Sequence, residues 1–194
     1  MFKANRTGGL QAPKFEGPGG HDLRIWERLE ERTIQTAMSN VEFDLTQDGW
    51  DHFPTIKIEY QKVQFTSVVN IVWFAKAATY GTSYRNQVVR TTDGGATMTD
   101  NWNAARSSCE GCTAMSNTSD AYLGGNIIIY NWQSATVDKT YLQELYFPQT
   151  ASNYSGGGYS FSGSNPGTLT AMKMEPSAGN IDNGQFTVWG SRYG

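Results

Sequence analysis

The chain has 194 residues, with Lys+Arg 15 against Asp+Glu 18 and a net charge of -3. That balance excludes the basic footprint of a nucleic-acid-binding protein or of a membrane-surface module. Charged residues are only 17%, while aromatics reach 13% and glycine 21 positions. This composition suits strands joined by tight turns and argues against a helical bundle.

The N-terminal segment differs from everything after it. Its first 20 residues hold Gly8, Gly9, Gly17, Gly19 and Gly20 with Pro13 and Pro18, too little apolar surface to offset the entropy of ordering alone. Residues 1–22 are therefore expected to be an arm that orders on a partner, or a leader with no role. Residues 23–194 are expected to form one domain with core enough to fold without disulfides. Met1-Phe2-Lys3-Ala4-Asn5-Arg6 carries positive charge with no apolar run behind it, so it does not read as a signal peptide. No stretch approaches 18 consecutive apolar residues, so no membrane insertion is expected.

Residues 21–29 fit either a short helix capped by Asp22 or an extended strand, and the β character of later segments favours the strand. From Ile34 the period settles at two, with Val41, Phe43 and Leu45 alternating with Glu42, Asp44 and Thr46. Gln47-Asp48-Gly49-Trp50 reads as a turn. Ile56, Ile58 and Tyr60 then alternate with Lys57, Glu59 and Gln61, and residues 68–76 read as a fully buried central strand from their continuous apolarity. Weaker strands are expected at 84–90, 121–130, 140–147, 159–161, 168–174 and 185–189, with Gly156-Gly157-Gly158 and residues 162–167 as turns. Residues 96–120 show no apolar period and read as a long polar excursion. Nine or ten short strands of this kind predict an all-β fold, an antiparallel two-sheet jelly-roll sandwich.

Chemistry-bearing motifs are few. The pair Cys109 and Cys112 reads as loop thiols able to close a disulfide. It could instead supply half of a zinc site shared between subunits or completed by His21 and His52, but it lacks the strand–helix context of a redox motif. His52 reads as a turn histidine. Glu42 and Asp44 share a strand face, with Glu59 able to sit beside them, the arrangement a glycosidase would need; the same residues are also the ordinary wet face of a strand. Asp182-Asn183-Gly184 reads as a hairpin signal. No constellation for catalysis, metal or cofactor emerges, so the chain is expected not to be an enzyme. Exposed aromatics near Asn and Asp are the alternative source of function, as in lectin-like carbohydrate-binding modules. Trp102, Trp132, Tyr154 and Tyr159 are the candidates for contact with a ligand or a neighbouring subunit.

A resemblance enters through the last third. Leu169-Thr170-Ala171-Met172-Lys173-Met174 runs through Gly179-Asn180-Ile181-Asp182-Asn183-Gly184 into Gln185-Phe186-Thr187-Val188-Trp189-Gly190. This strand, Gly-Asn connection and closing strand ending in aromatic-Gly resembles the C-terminus of jelly-roll proteins on tailed bacteriophage particles, of the tail-fibre and head-fibre type. Upstream order is similar: Phe43-Asp44-Leu45, the Trp50 to Phe53 turn, the strand from Ile56, the apolar strand at 69–74, and Gly125-Asn126-Ile127-Ile128-Ile129-Tyr130-Asn131, so the likeness spans 32–194. The resemblance implies a virion structural protein assembled in the host cytoplasm, often a homotrimer. Its arm would plug into other virion proteins, with Phe2, Leu10 and Phe15 as apolar anchors, while the sandwich projects toward a host surface polysaccharide. It transfers no catalytic residue.

Overall fold

The computed structural model describes residues 25–67, 69, 71–79, 84–91, 98–106, 109–110, 122–149, 154–164 and 167–192. For 84–91, 98–106, 109–110, 146–149 and 154–164 it describes the backbone. The arm with Phe2, Leu10 and Phe15, and Cys112, lie outside the described residues.

Twelve strands are present among the described residues: β1 Glu27–Ile34, β2 Val41–Asp44, β3 Thr55–Phe65, β4 Ile71–Lys76, β5 Tyr84–Thr91, β6 Met98–Arg106, β7 Cys109–Glu110, β8 Leu123–Tyr130, β9 Lys139–Gln149, β10 Tyr154–Ser164, β11 Ala171–Pro176 and β12 Ile181–Ser191. A single 3-10 turn, Trp50–His52, joins β2 to β3 and follows Gly49, whose φ of 83° favours glycine. The strands form two antiparallel sheets packed as a sandwich. One sheet has the order β1-β12-β3-β8-β9-β10-β5-β6 and the other β2-β11-β4-β7. From β1 to β4 the chain changes sheet at every strand, and it does so again from β10 through β11 to β12. No helix among the described residues is long and apolar enough to cross a membrane.

Local alternation explains which face each strand buries. In β2 the burial runs buried, exposed, buried, exposed, so Val41 and Phe43 point inward while Glu42 and Asp44 point to water. The small sheet adds Ile71, Trp73, Ala75, Met172 and Met174. The large sheet answers with Ile56, Ile58, Tyr60, Ile127, Ile129, Phe186 and Val188. At the centre, Phe43 and Trp73 of the small sheet meet Tyr60 and Phe186 of the large one. The ring centroids lie 5.7 Å apart for Phe43–Phe186 and 5.9 Å for Tyr60–Trp73. Each such buried side chain stabilises by about 1.5–3 kcal/mol, and each tilted ring pair adds about 0.5–1.5 kcal/mol.

Tyr60 reaches beyond its own strand. Its register partner on β8 is Gly125, whose own partner on β9 is Leu145. With no side chain at Gly125, Tyr60 lies across β8 and its hydroxyl accepts a hydrogen bond of 2.9 Å from Nε2 of the buried Gln143 on β9.

Several expectations need correction. Residues 68–76 do not form a strand buried on both faces: β4 alternates buried and half-buried residues, and the stem of Lys173 lets its Nζ sit 4.8 Å over the outward Phe74 ring. Gly156-Gly157-Gly158 is not a turn but lies inside β10, opposite Phe147, Tyr146 and Leu145. Asp182-Asn183-Gly184 is not a hairpin either. It lies within β12, where the register with β3 shifts on both sides of Asn183. A Cβ on Gly184 would come 2.9 Å from Val63 Cγ2, so the glycine serves close approach rather than chain reversal. Residues 96–120 are not a structureless excursion, because β6 and β7 lie there. Among the described residues β6 lies at the edge of the large sheet, paired with β5 alone, and an edge strand of polar residues such as Thr99, Asp100, Asn101 and Asn103 carries no apolar period to read.

Candidate functional site

Trp132 is not a surface contact. It is 3% exposed, and its indole Nε1–H donates to the Phe53 carbonyl at 2.7 Å. The loop that carries it starts at Asn131, whose left-handed φ of 59° is among the conformations asparagine tolerates. Leu169 N–H donates to the Trp132 carbonyl at 2.8 Å, and Gln133 Nε2 donates to the Asp51 carbonyl at 2.6 Å. Trp132 thereby closes one end of the core, an end-cap role that neighbouring asparagines in the sequence do not reveal.

Lys139 closes the same loop from its other side. Its side chain is fully enclosed, and Nζ donates to the carbonyls of Ser134 and Val137, the latter at 2.9 Å. Burial disfavours the ammonium and lowers its pKa from the ordinary 10.5, a shift that the neighbouring Asp138 opposes. An unfolded chain keeps this proton up to 10.5, whereas the folded chain releases it earlier. Between those two points the unfolded state binds more protons, so stability rises with pH. Urea midpoints measured from neutral pH upward are expected to include this rise, and Lys139→Met is expected to remove it.

The carboxylates proposed for hydrolysis do not converge. Glu42 and Asp44 face water from the small sheet, and Glu59 faces water from the large sheet, on the opposite side of the sandwich. Asp44 is held by its neighbour instead: Thr46 N–H and Oγ1–H both donate to Asp44 Oδ1, at 2.8 and 2.7 Å, which lowers its pKa. His52 is exposed in the 3-10 turn, 3.9 Å from Asp51. Among the described residues no group of three or more His, Cys, Asp or Glu could hold a metal ion. Cys109 sits in β7 opposite Trp73.

The outer face of the large sheet holds a more organised set. The register aligns Trp189, Lys57, Ile128 and Leu142 in one row across β12, β3, β8 and β9. The adjacent row is Thr187, Glu59, Asn126 and Glu144. Trp189, Ile128 and Leu142 are half-buried on a face where alternation alone would place polar residues. Lys57 Nζ lies 5.4 Å from the Trp189 ring centroid and 4.9 Å from that of Trp26. The Trp189 Nε1–H donates to Glu59 Oε2 at 2.9 Å, and Gln61 Nε2 donates to Glu59 Oε1 at 3.2 Å. Asn126 Nδ2 donates to Glu144 Oε2 at 3.1 Å. Indole, ammonium, amide and carboxylates are thus each fixed by a neighbour in the next strand.

Two of the aromatic candidates fall on the continuation of these rows. The first row extends through Phe161 and Gln87 to Trp102, and the second through Tyr159 and Val89 to Asp100. Tyr154 starts β10, opposite Gln149. Trp189, Glu59, Asn126 and Glu144 were missed as a group in the sequence, where each looks like one more outward position of a strand.

The fold and this face together define an all-β sandwich with an ordered aromatic–polar surface on its larger sheet. Comparison with known proteins found no matching family model, no matching curated protein and no matching solved structure.

Proposed function

We propose that the chain is a structural appendage of a bacteriophage particle, a tail-fibre or capsid-surface protein built on a jelly roll and anchored by residues 1–22. The observation that carries it is the strand order. The sets β1-β12-β3-β8 and β2-β11-β4-β7 fit the interleaved eight-strand pattern expected of two Greek keys. The antiparallel pairs β5–β6 and β9–β10 are additions that widen one sheet. This order supports the jelly roll that the C-terminal residues resemble. Phe2, Leu10 and Phe15 would order on other virion proteins by coupled folding and binding, and the sandwich would assemble as a homotrimer in the host cytoplasm.

Deletion of residues 1–20 is expected to leave a folded domain that is lost from purified particles by tenfold or more. Normal incorporation of the truncated chain would sink the anchor. Light scattering of the intact chain is expected to give a trimer. A monomer would favour a carbohydrate-binding module outside any virus, which the half-buried Trp189 on the outer face and its flanking carboxylates also support.

A further inference from the structure

We propose that the outer face of the large sheet is a binding track for a neutral polysaccharide, crossing β12, β3, β8 and β9 on Trp189, Lys57, Glu59, Ile128 and Glu144. This gives the proposed appendage a ligand, the polysaccharide of the host surface, and rests on that reading only for the identity of the host.

The chemistry of the track is amphipathic across the strands. The apolar row from Trp189 to Leu142 spans three inter-strand steps, about 14 Å, and the polar row lies two residues away along each strand, about 6.5 Å. A sugar ring has one C–H face and a rim of hydroxyls. Its C–H face packs on indole and aliphatic side chains, and its hydroxyls can both donate and accept. The polar row offers acceptors in Glu59 and Glu144, and Lys57 adds donors. Trp189 is held by Glu59 and Lys57 before any ligand arrives, so little side-chain entropy is left to lose on binding.

Charge decides between a glycan and a second copy of the chain. The centre of a protein interface is depleted in charged residues. A docked subunit would have to enclose the ion pair of Lys57 Nζ and Glu59 Oε2, 3.9 Å apart, together with the carboxylate of Glu144, and removing such ions from water costs several kcal/mol that the pair repays only in part. Hydroxyls bond to those same groups while leaving them wet. With Lys57 set against Glu59 and Glu144 the track keeps a net negative charge, which disfavours acidic polymers because like charges repel.

Affinity electrophoresis of the full chain through gels containing dextran, mannan, galactomannan or mixed-linkage β-glucan tests this, with polygalacturonate as the acidic comparison. At least one neutral polymer is expected to retard the chain, and polygalacturonate is not. Trp189→Ala is expected to weaken that retardation roughly tenfold or more. Glu144→Ala, an exposed position whose replacement leaves the core untouched, is expected to weaken it roughly fivefold. Four results would overturn the proposal: no retardation by any neutral polymer, tighter binding to polygalacturonate, full retention in both variants, or a Trp189→Ala chain whose only change is dissociation to monomer in light scattering. Particle incorporation is read separately through residues 1–20, so loss of the glycan track leaves the virion assignment standing, and the reverse.

Discussion

Gly125→Ala is expected to destabilise the domain by about 3 kcal/mol or more, the scale of overpacking where backbone must move. A Cβ at this position would lie 2.2 Å from the Glu144 carbonyl oxygen, 2.8 Å from the Tyr60 hydroxyl and 2.9 Å from Leu145 Cα. Two of the three obstacles are backbone of β9, so rotation of a side chain cannot relieve the clash. Either β8 and β9 separate or Tyr60 moves away from Gln143, and the buried amide then loses its hydrogen bond to the phenol oxygen. Chemical denaturation should show a large fall in midpoint. Gly49→Ala is the contrasting case: nothing lies within 4 Å of its Cβ, and only the left-handed φ of 83° opposes it. Its expected cost is about 1 kcal/mol. Equal losses for the two variants would remove Tyr60 and β9 from the explanation.

Trp132→Ala is expected to cost about 3–5 kcal/mol, the range for deleting a buried aromatic ring, and to do so without any direct effect on ligand contact. The same conservative change at two buried tryptophans separates packing from hydrogen bonding. Trp132→Phe removes the donor to the Phe53 carbonyl and leaves that acceptor short, so it loses ring volume and a bond together. Trp73 is equally buried, but its Nε1 has no hydrogen-bond partner among the described residues. A buried unpaired donor costs about 1–3 kcal/mol, and Trp73→Phe removes that penalty while losing some volume against Tyr60 and Phe43. The expected order of stability is therefore Trp73→Phe well above Trp132→Phe, measured by urea midpoint. The reverse order would mean that ring volume outweighs the hydrogen bond at both sites.

Much of the architecture was legible where one face of a strand is buried. Val41-Glu42-Phe43-Asp44 and Ile56-Lys57-Ile58-Glu59-Tyr60 alternate visibly, and both lie in strands with the apolar set inward. The strand reading of residues 21–29 agrees with β1 over its last three positions, because Glu27–Ile34 pairs with β12 along its length; residues 21–24 lie outside the described residues. Legibility failed where the local signal was ambiguous. A Gly-Gly-Gly run suits a turn, yet glycine also fits an extended strand between two neighbours, as in β10. Asp-Asn-Gly suits a hairpin, yet bulges use the same residues.

The candidate track shows the limit most clearly. Glu59 and Trp189 stand 130 positions apart in the chain and meet only through the pairing of β3 with β12. Trp132 illustrates the converse: a loop neighbourhood of Asn131 and Gln133 looks solvated, and long-range hydrogen bonds turn the indole into the core. From its sequence alone the protein was determined to be all-β, with most strand positions and their buried faces, because a period of two is written in consecutive residues. Only the tertiary structure decided which strands are neighbours, which glycines are spacers and which outward side chains form one surface. Register couples residues far apart in the chain, and a one-residue slip would send each of them to the opposite face.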